Sequence, residues 1–416
     1  MTITLVTPGH LSSNPRLVKE AQLFAKAGYQ VRIFCTWYLS WQAAHDQQLI
    51  NRHSDWQVTV TDWTGGSFFS RLNRLWSAVQ NRWNRLISRW DHSPRRAALL
   101  LNRHVWRQSR QMTRVPTDLI IAHNLGALPA AIRAGRSHKV PVCFDAEDFH
   151  RGEPVASGPD GWALHLVENT FIPACHATWS ASPSIGAAYQ TLFPSLAFTP
   201  VLNVFPEAAI TNNRIQDPSA ESPLKLFWFS QTIGRDRGLE DVLRAMSAPG
   251  CETLHLTLVG FLSREDEVYF RNLAGSAENI SGRITFLKPV EEKELFSLAA
   301  QHHVGLALER PAPLNRDLCL TNKIFTYLCG GMAIAYSATT AQTAFYHDHP
   351  KTGFLYEPGD SKALAGWLSS LLQHPDRLSA HRQASLELAI HRYHWEKEGI
   401  RVLSIIESVM GKPLPS

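Results

Sequence analysis

The chain has 416 residues, 44% apolar and 19% charged, with a net charge of +5 and six cysteines. That length exceeds one comfortable hydrophobic core, so two domains of ordinary globular composition are expected. Cys35, Cys143, Cys175, Cys251, Cys319 and Cys329 form no Cys-x-x-Cys pair, which argues against a disulfide framework or a zinc site and fits a reducing compartment.

In chain order, Thr2 to Thr7 reads as a first strand, Pro15 to Ala27 as a helix ending at Gly28, and Gln30 to Phe34 as a second strand. Thr117 to Ala122, Val140 to Asp145 and Ala177 to Ser180 are further short strands, each beside a helix-like segment. Such alternation implies parallel strands with helices on both faces. No cleavable leader pattern and no run near eighteen apolar residues is present, so a cytoplasmic protein that does not span a membrane is expected.

Between these strands, residues 66–114 hold eleven arginines, no lysine and one acid, Asp91, a local charge of +10. The rest of the chain carries 30 bases against 35 acids, so the basic character belongs to one surface. Leu72, Leu75, Trp76, Val79, Trp83, Leu86, Ile87 and Trp90 recur at helical spacing, with Arg71, Arg74, Arg82, Arg85 and Arg89 on a neighbouring arc, so a basic amphipathic helix is expected over about 66–114. Two readings stand: a stripe packed on the domain core, or an interfacial helix on an anionic membrane. No recognised nucleic-acid motif accompanies the charge, and no nucleic-acid partner is expected.

After Val201-Leu202-Asn203-Val204-Phe205-Pro206 a polar stretch reads as a linker, 206–223, and the alternation restarts. The predicted elements are strands Leu224 to Phe229, Leu254 to Val259, Ile284 to Leu287, Val304 to Leu308 and Ala333 to Tyr336. Helices are predicted over Gly238 to Ala245, Glu291 to Ala300, Asn322 to Cys329 and Ser361 to Leu372. The fold class is therefore α/β, two tandem Rossmann-like doubly wound domains, 1–205 and 224–391. A last helical segment, 392–416, has Trp395, Ile400, Leu403, Ile406 and Val409 as packing positions. Ligands of such sheets sit beyond the C-terminal strand ends, and the interdomain cleft is the expected site.

The candidate chemistry falls mostly at those strand ends. Gly9, His10 and Arg16 lie on the loop between the first strand and first helix; Gly9 permits close backbone approach and Arg16 suits an anion or a sugar oxygen. His123 ends its strand and could donate to a substrate hydroxyl or carbonyl. The run Asp145 to Glu153, with Glu147 and His150, reads as a polar loop bordering an acceptor pocket; a metal site there needs a convergence that spacing alone does not supply. Gln231, Thr232, Gly234, Arg235 and Arg237 link a strand to a helix, and the two guanidinium groups suit a diphosphate. Glu309, Thr321, Asn322 and Lys323 surround the start of a helix, where free N–H groups and the dipole favour phosphate.

The run Ser13-Asn14-Pro15-Arg16-Leu17-Val18-Lys19-Glu20-Ala21, Asn203, the Arg237-Gly238 turn, the Asn322-Lys323-Ile324-Phe325 helix with Tyr327-Leu328, and Gly353 to Asp360 resemble GT-B fold glycosyltransferases of the large family-4 retaining group. The resemblance spans essentially the whole chain. It implies a nucleotide-diphosphate sugar bound mainly by the C-terminal domain, an acceptor bound mainly by the N-terminal one, and the tail helix crossing back to the first domain. Arg237 falls where the family places its phosphate-binding base, and His123 near its active-site histidine. The family's two-glutamate motif is absent, with Leu318 and Thr326 at its positions, and Thr232 replaces the usual arginine. Arg235, Glu309 and Asn322 are the candidates to take over phosphate and ribose recognition.

The expectation is a metal-independent retaining transferase with no cofactor beyond its nucleotide-sugar co-substrate, acting on a glycan or lipid-linked acceptor, cytoplasmic or peripheral at the inner membrane face. Catalysis would rest on His123, Arg237 and Lys323. The alternatives are a sugar-nucleotide 2-epimerase of the same fold and a non-catalytic nucleotide-sugar-binding relative.

Overall fold

The computed structural model describes residues 1–158, 160–210, 222–273 and 282–411. The chain divides into two compact units: Met1–Leu202 with the segment from Gly399 onward, and Asn203–Glu398. Most of the predicted linker 206–223 lies outside the described residues.

The first unit is built on seven parallel strands: β1 (Thr2–Val6), β2 (Gln30–Trp37), β3 (Trp56–Asp62), β4 (Leu119–His123), β5 (Val142–Ala146), β6 (Ala177–Ser180) and β7 (Phe198–Pro200). Their order is β3-β2-β1-β4-β5-β6-β7. The second unit has six: β8 (Leu224–Ile233), β9 (Leu254–Leu262), β10 (Ile284–Leu287), β11 (Val304–Ala307), β12 (Ala333–Ser337) and β13 (Gly353–Tyr356). They run β10-β9-β8-β11-β12-β13, again all parallel. Every residue of β4, β5 and β12 is buried, as a strand covered on both faces by helices requires. In each sheet the order reverses beside the first strand, between β1 and β4 and between β8 and β11. Ligands of doubly wound sheets bind at such switch points, beyond the strand C-termini.

Helix α1 (Pro15–Lys26) shows how local sequence fixes these ends. Asn14 accepts from the Leu17 amide at 3.0 Å, Pro15 supplies a preset first turn, and Leu17, Ala21 and Phe24 face the sheet. Truncating the fully buried Phe24 to alanine would cost about 3–5 kcal/mol. In the second unit, helix Asn322–Cys329 lies flat on β11 because residue 305 is glycine. A Cβ there would stand 2.2 Å from the Tyr327 ring, whose hydroxyl donates to Leu306 O at 3.1 Å.

Helix α2 (Ser40–Arg52) and β3 of the first unit are not among the predicted elements, although β3 alternates Trp56, Val58 and Val60 with Gln57, Thr59 and Thr61. Helix α2 fully buries only Asp46, with Ala43, Leu49 and Ile50 half-buried beside it, so its apolar stripe is thin, and β3 follows it closely. The basic stretch 66–114 also departs from a single helix. It forms α3 (Phe68–Ile87), α4 (Pro94–Leu101) and α5 (Val105–Met112), broken where Pro94 restarts the helix at its first position.

The stripe on α3 does not face the core. Its buried residues are Ser70, Ser77 and Asn84, a narrow seam of small polar side chains seven residues apart. Trp76 is 72% exposed, Trp83 60% and Trp90 77%, and Phe68, Phe69, Leu72, Leu75, Val79 and Leu86 are exposed with them. The C-terminal helix Trp395–Met410 departs similarly at one point: Ile406 is buried as expected, whereas Ile400 is exposed and Val402 takes a core position.

Candidate functional site

In the second unit, β8 shifts register between Phe229 and Thr232 and leaves Gln231 and Thr232 exposed at its end. The turn Gly234-Arg235-Asp236-Arg237-Gly238 then leads into helix Leu239–Met246. Asp236 and Gly238 adopt left-handed φ values of 59° and 80°. A Cβ on residue 238 would stand 2.9 Å from Leu308 Cβ, so only glycine lets this turn rest against the end of β11.

The two arginines of the turn differ in engagement. Arg235 donates to Glu265 Oε1 at 2.8 Å and to Asp266 Oδ1 at 3.1 Å, and its guanidinium lies over the Tyr269 ring. Arg237, half-exposed, has no hydrogen-bond or ion-pair partner among the described residues. A guanidinium without a counter-ion at a switch point is available to an incoming anion.

Beyond β11, the Glu309 amide donates to Ser337 Oγ at 2.7 Å, which fixes the backbone there. The Glu309 carboxylate receives Lys323 Nζ at 2.7 Å and lies 3.7 Å from Arg316 Nε. Lys323 sits in the first turn of helix Asn322–Cys329, and its ammonium lies 5.6 Å from the Trp228 ring centre. No side chain caps that helix: Thr321 is the N-cap residue, yet its Oγ1 is buried without a partner. Asn203 Nδ2 donates to Asn322 Oδ1 at 2.9 Å. The uncapped first amides, the dipole, Lys323 and Arg237 together suit a phosphorylated ligand.

In the first unit the corresponding residues are paired with one another. Arg16 grips both Asp145 oxygens at 2.8 Å and donates to Val201 O at 2.8 Å. His123, fully buried, has Nδ1 at 3.1 Å from Glu147 Oε1 and 3.4 Å from Asp145 Oδ2. Its Nε2 stands 3.2 Å from Glu20 Oε2, an ion-pair contact without hydrogen-bond alignment. Burial opposes charge on His123, but Glu20, Asp145 and Glu147 outweigh it and raise its pKa well above the usual imidazole value. Burial raises the Glu20 carboxyl against the pull of His123. Asp145 is held low by Arg16 and His123 despite its burial. Glu20, His123 and Asp145 converge closely enough to suit a cation in spacing. Their donor set does not fit one as it stands, because the Arg16 fork already takes both Asp145 oxygens.

His10 is also committed. Its Nε2 accepts from the Tyr38 and Leu39 amides at 3.0 and 3.1 Å, so Nδ1 carries the proton toward Asp46 Oδ2 at 3.1 Å. Asp46 further accepts from the Leu11 and Ser12 amides. Although burial opposes it, these donors hold the Asp46 carboxyl below its usual range.

No protein-family profile matches the chain, and no curated protein matches it in sequence. Solved structures match over nearly its whole length. HepE of Anabaena, solved in complex with UDP, is 14% identical with a TM-score of 0.67 and covers 98% of this chain and 100% of its own. The sucrose-phosphate synthase of Thermosynechococcus elongatus is 15% identical with a TM-score of 0.71 and covers 99% of each chain. The lipopolysaccharide outer core galactosyltransferase WaaB, in apo form, is 12% identical with a TM-score of 0.61 and covers 98% of this chain and 99% of its own.

The chain has the GT-B fold.

Within this GT-B chain the structure brings Thr321, Asn322, Lys323 and Glu309 together at one helix start and sets the Gly234–Gly238 turn, with Arg237, against the end of β11. Gln231 and Thr232 reach solvent at the end of β8, while Arg235 is drawn to the acids of helix Arg264–Leu273. In the first unit, Arg16, His123 and Glu147 share one network, with Glu147 its most exposed member. His10 lies in the separate Asp46 network, and Gly9 next to it holds the Thr36 amide through its carbonyl. His150 faces Glu153 at 3.3 Å; burial opposes its charge, and Glu153 with Asp148 and Glu168 raises its pKa.

Glu20, Asp46 and Arg316 were not read as site residues. Glu20 had a signal: it lies four residues after Arg16, on the same apolar face of α1 as Leu17, Ala21 and Phe24. Charged residues inside an apolar stripe mark a buried network. Asp46 had a fainter one, since the stripe it interrupts on α2, Ala43, Leu49 and Ile50, is thin.

Proposed function

We propose that this protein is a retaining glycosyltransferase that moves a sugar from a nucleotide diphosphate to an acceptor hydroxyl. The observation that carries the reading is the unpartnered Arg237 guanidinium, on a turn packed against β11, in the same unit as an uncapped helix whose first turn supplies Lys323. Support also comes from neighbours of the same fold, among them HepE, solved with UDP-glucose.

The nucleotide diphosphate lies against the second unit, its phosphates on the first amides of helix Asn322–Cys329 and on Arg237 and Lys323. Glu309 and Asn322 take the hydroxyl recognition that the absent two-glutamate motif leaves open. The acceptor oxygen attacks the anomeric carbon on the face from which the phosphate departs. The bond from that carbon to the phosphate oxygen breaks as the new glycosidic bond forms. The acceptor's proton passes to the departing diphosphate, so no protein nucleophile is needed. Arg237 and Lys323 stabilise the developing charge, an effect of about 2.7–4 kcal/mol per well-placed donor. His123 and Glu147 shape the acceptor side. No divalent metal takes part.

The acceptor is a glycan or a lipid-linked sugar, and the first unit meets it at the inner face of a membrane through the outward side of α3. No helix among the described residues is long and apolar enough to cross a membrane.

A panel of nucleotide sugars screened by thermal shift identifies the donor, because a ligand of the native state alone raises the melting temperature. Release of nucleoside diphosphate with that donor and an acceptor, unchanged by EDTA and giving the same anomer, is the expected outcome. Complete loss with chelator removes metal independence. Conversion of donor alone to its 2-epimer, seen by NMR, replaces transfer with epimerisation, and binding without turnover across acceptors favours a non-catalytic role.

A further inference from the structure

The transfer chemistry leaves one built feature of the first unit unused. Helices α3, α4 and α5 border a cavity of about 670 Å³ lined by Arg95, Arg96, Arg103, Arg107, Arg110 and Arg114, with no acidic side chain in its wall. Three of these guanidinium groups are engaged: Arg96 with Asp91, Arg107 with Asn73 Oδ1 at 2.7 Å, and Arg103 over the Trp63 ring. Those of Arg95, Arg110 and Arg114 have no partner among the described residues and are exposed.

The cavity wall also carries buried polar atoms with no partner: His104 Nε2, Ser77 Oγ and Trp106 Nε1. His104 is only 7% exposed. Burial first, then Arg107 and Arg103, push its pKa down to about 4, so the imidazole is neutral at physiological pH. Neutral donors and free arginines without acids make a receptor for an anion with several oxygens. A phosphate ester meets that description.

The position of the cavity selects the source. Trp76 and Trp83 line it and also belong to the exposed face of α3, beside Phe68, Phe69 and Leu75. A soluble phosphate has no use for that apolar margin, whereas a headgroup at a bilayer surface is bordered by acyl chains that bury it. We propose that the cavity is a headgroup site, which takes the phosphate of an anionic phospholipid while the aromatic side chains of α3 enter the interfacial layer of the same membrane. This deepens the membrane-facing part of the function proposed above and is independent of the transfer step.

The test uses the full chain and flotation with vesicles of phosphatidylcholine, alone or with about one-third phosphatidylglycerol, at moderate salt. Two triple variants remove equal charge. Arg95→Gln/Arg110→Gln/Arg114→Gln removes the three unpartnered guanidinium groups of the cavity, and Arg74→Gln/Arg82→Gln/Arg89→Gln strips arginines that do not line it. Diffuse attraction to the surface weakens both by the same factor, about five-fold per arginine. A headgroup site predicts that the cavity triple loses at least ten-fold more binding to anionic vesicles than the other. Equal losses overturn it.

A second measurement needs no variant. Short-chain phosphatidylglycerol, below its micelle-forming concentration, should change wild-type tryptophan fluorescence saturably and compete with anionic vesicles. No saturable change overturns the site, as does RNA binding tighter than vesicle binding and abolished by the cavity triple. Nucleotide affinity, measured in the same preparations without lipid, reads the second unit separately. Normal nucleotide binding with equal vesicle losses sinks the headgroup site alone.

Discussion

The polar groups at the two switch points are of similar kind but differ in how completely they are paired. In the first unit, Arg16, Glu20, His123, Asp145 and Glu147 form a network in which each charge faces its opposite, nearly all of it buried. In the second unit Lys323 is paired with Glu309, but Arg237 and Thr321 Oγ1 have no partner among the described residues, and helix Asn322–Cys329 has no side-chain cap. A closed network holds strands and helices in register, whereas a buried unmatched group such as Thr321 Oγ1 is a standing cost and the half-exposed Arg237 is held only by water. The contrast separates groups that keep a shape from groups that, on the proposed function, a phosphate would engage.

The largest expected effect breaks the closed network. Arg16→Met leaves Asp145 buried without its fork and should destabilise the first unit by about 3–5 kcal/mol, read by urea unfolding. A loss below about 1 kcal/mol would put Arg16 among exposed-type pairs and erase the contrast. Next comes Arg237→Ala, which should lower turnover by about 10²–10³ while leaving the unfolding midpoint in place. If this variant keeps full turnover with normal donor affinity, the diphosphate is held elsewhere.

A smaller effect lies in pH. The folded His123 pKa is raised above its ordinary value near 6.5, so its contribution to stability is fully present below that pH. It is lost as pH rises through the higher folded value. Glu20, also raised, acts with the same sign above its ordinary value of 4.5. Stability should therefore fall on going from mildly acidic to alkaline pH, and His123→Gln should flatten the slope measured by denaturant titration. The smallest effect is expected on α3: Trp83→Ser, at a side chain that leaves its indole mostly in solvent, should change stability by less than about 0.5 kcal/mol. A drop of several kcal/mol would mean that the stripe supports the fold after all.

The architecture was legible because doubly wound sheets write themselves in long apolar strands and glycine-ended helices. Helix Asn322–Cys329 and strand Ala177–Ser180 match their predicted bounds residue for residue. Helix α2 was hard to read, since its inward face, Gln42, Ala43, Asp46, Leu49 and Ile50, is only partly apolar and centres on a buried acid. The residue types at the strand ends could be read, but their engagement could not. Nothing in the turn Gly234–Gly238 tells that Arg235 finds acids thirty residues on while Arg237 finds none. Pairing depends on where helix Arg264–Leu273 falls, which is a tertiary fact. For α3, spacing gave the stripe and its arginines but not the side that faces solvent. That was decided by Ser70, Ser77 and Asn84, three small residues easily passed over among tryptophans.

The seam made by those three residues leaves α3's outer surface almost free of folding duty. Its large side chains can be exchanged without disturbing the sheet beneath, so selection or an engineer can change the surface this helix presents while both sheets stay as they are. A version resurfaced with glutamate and lysine should still fold and, on the proposed function, keep nucleotide affinity while losing affinity for anionic vesicles.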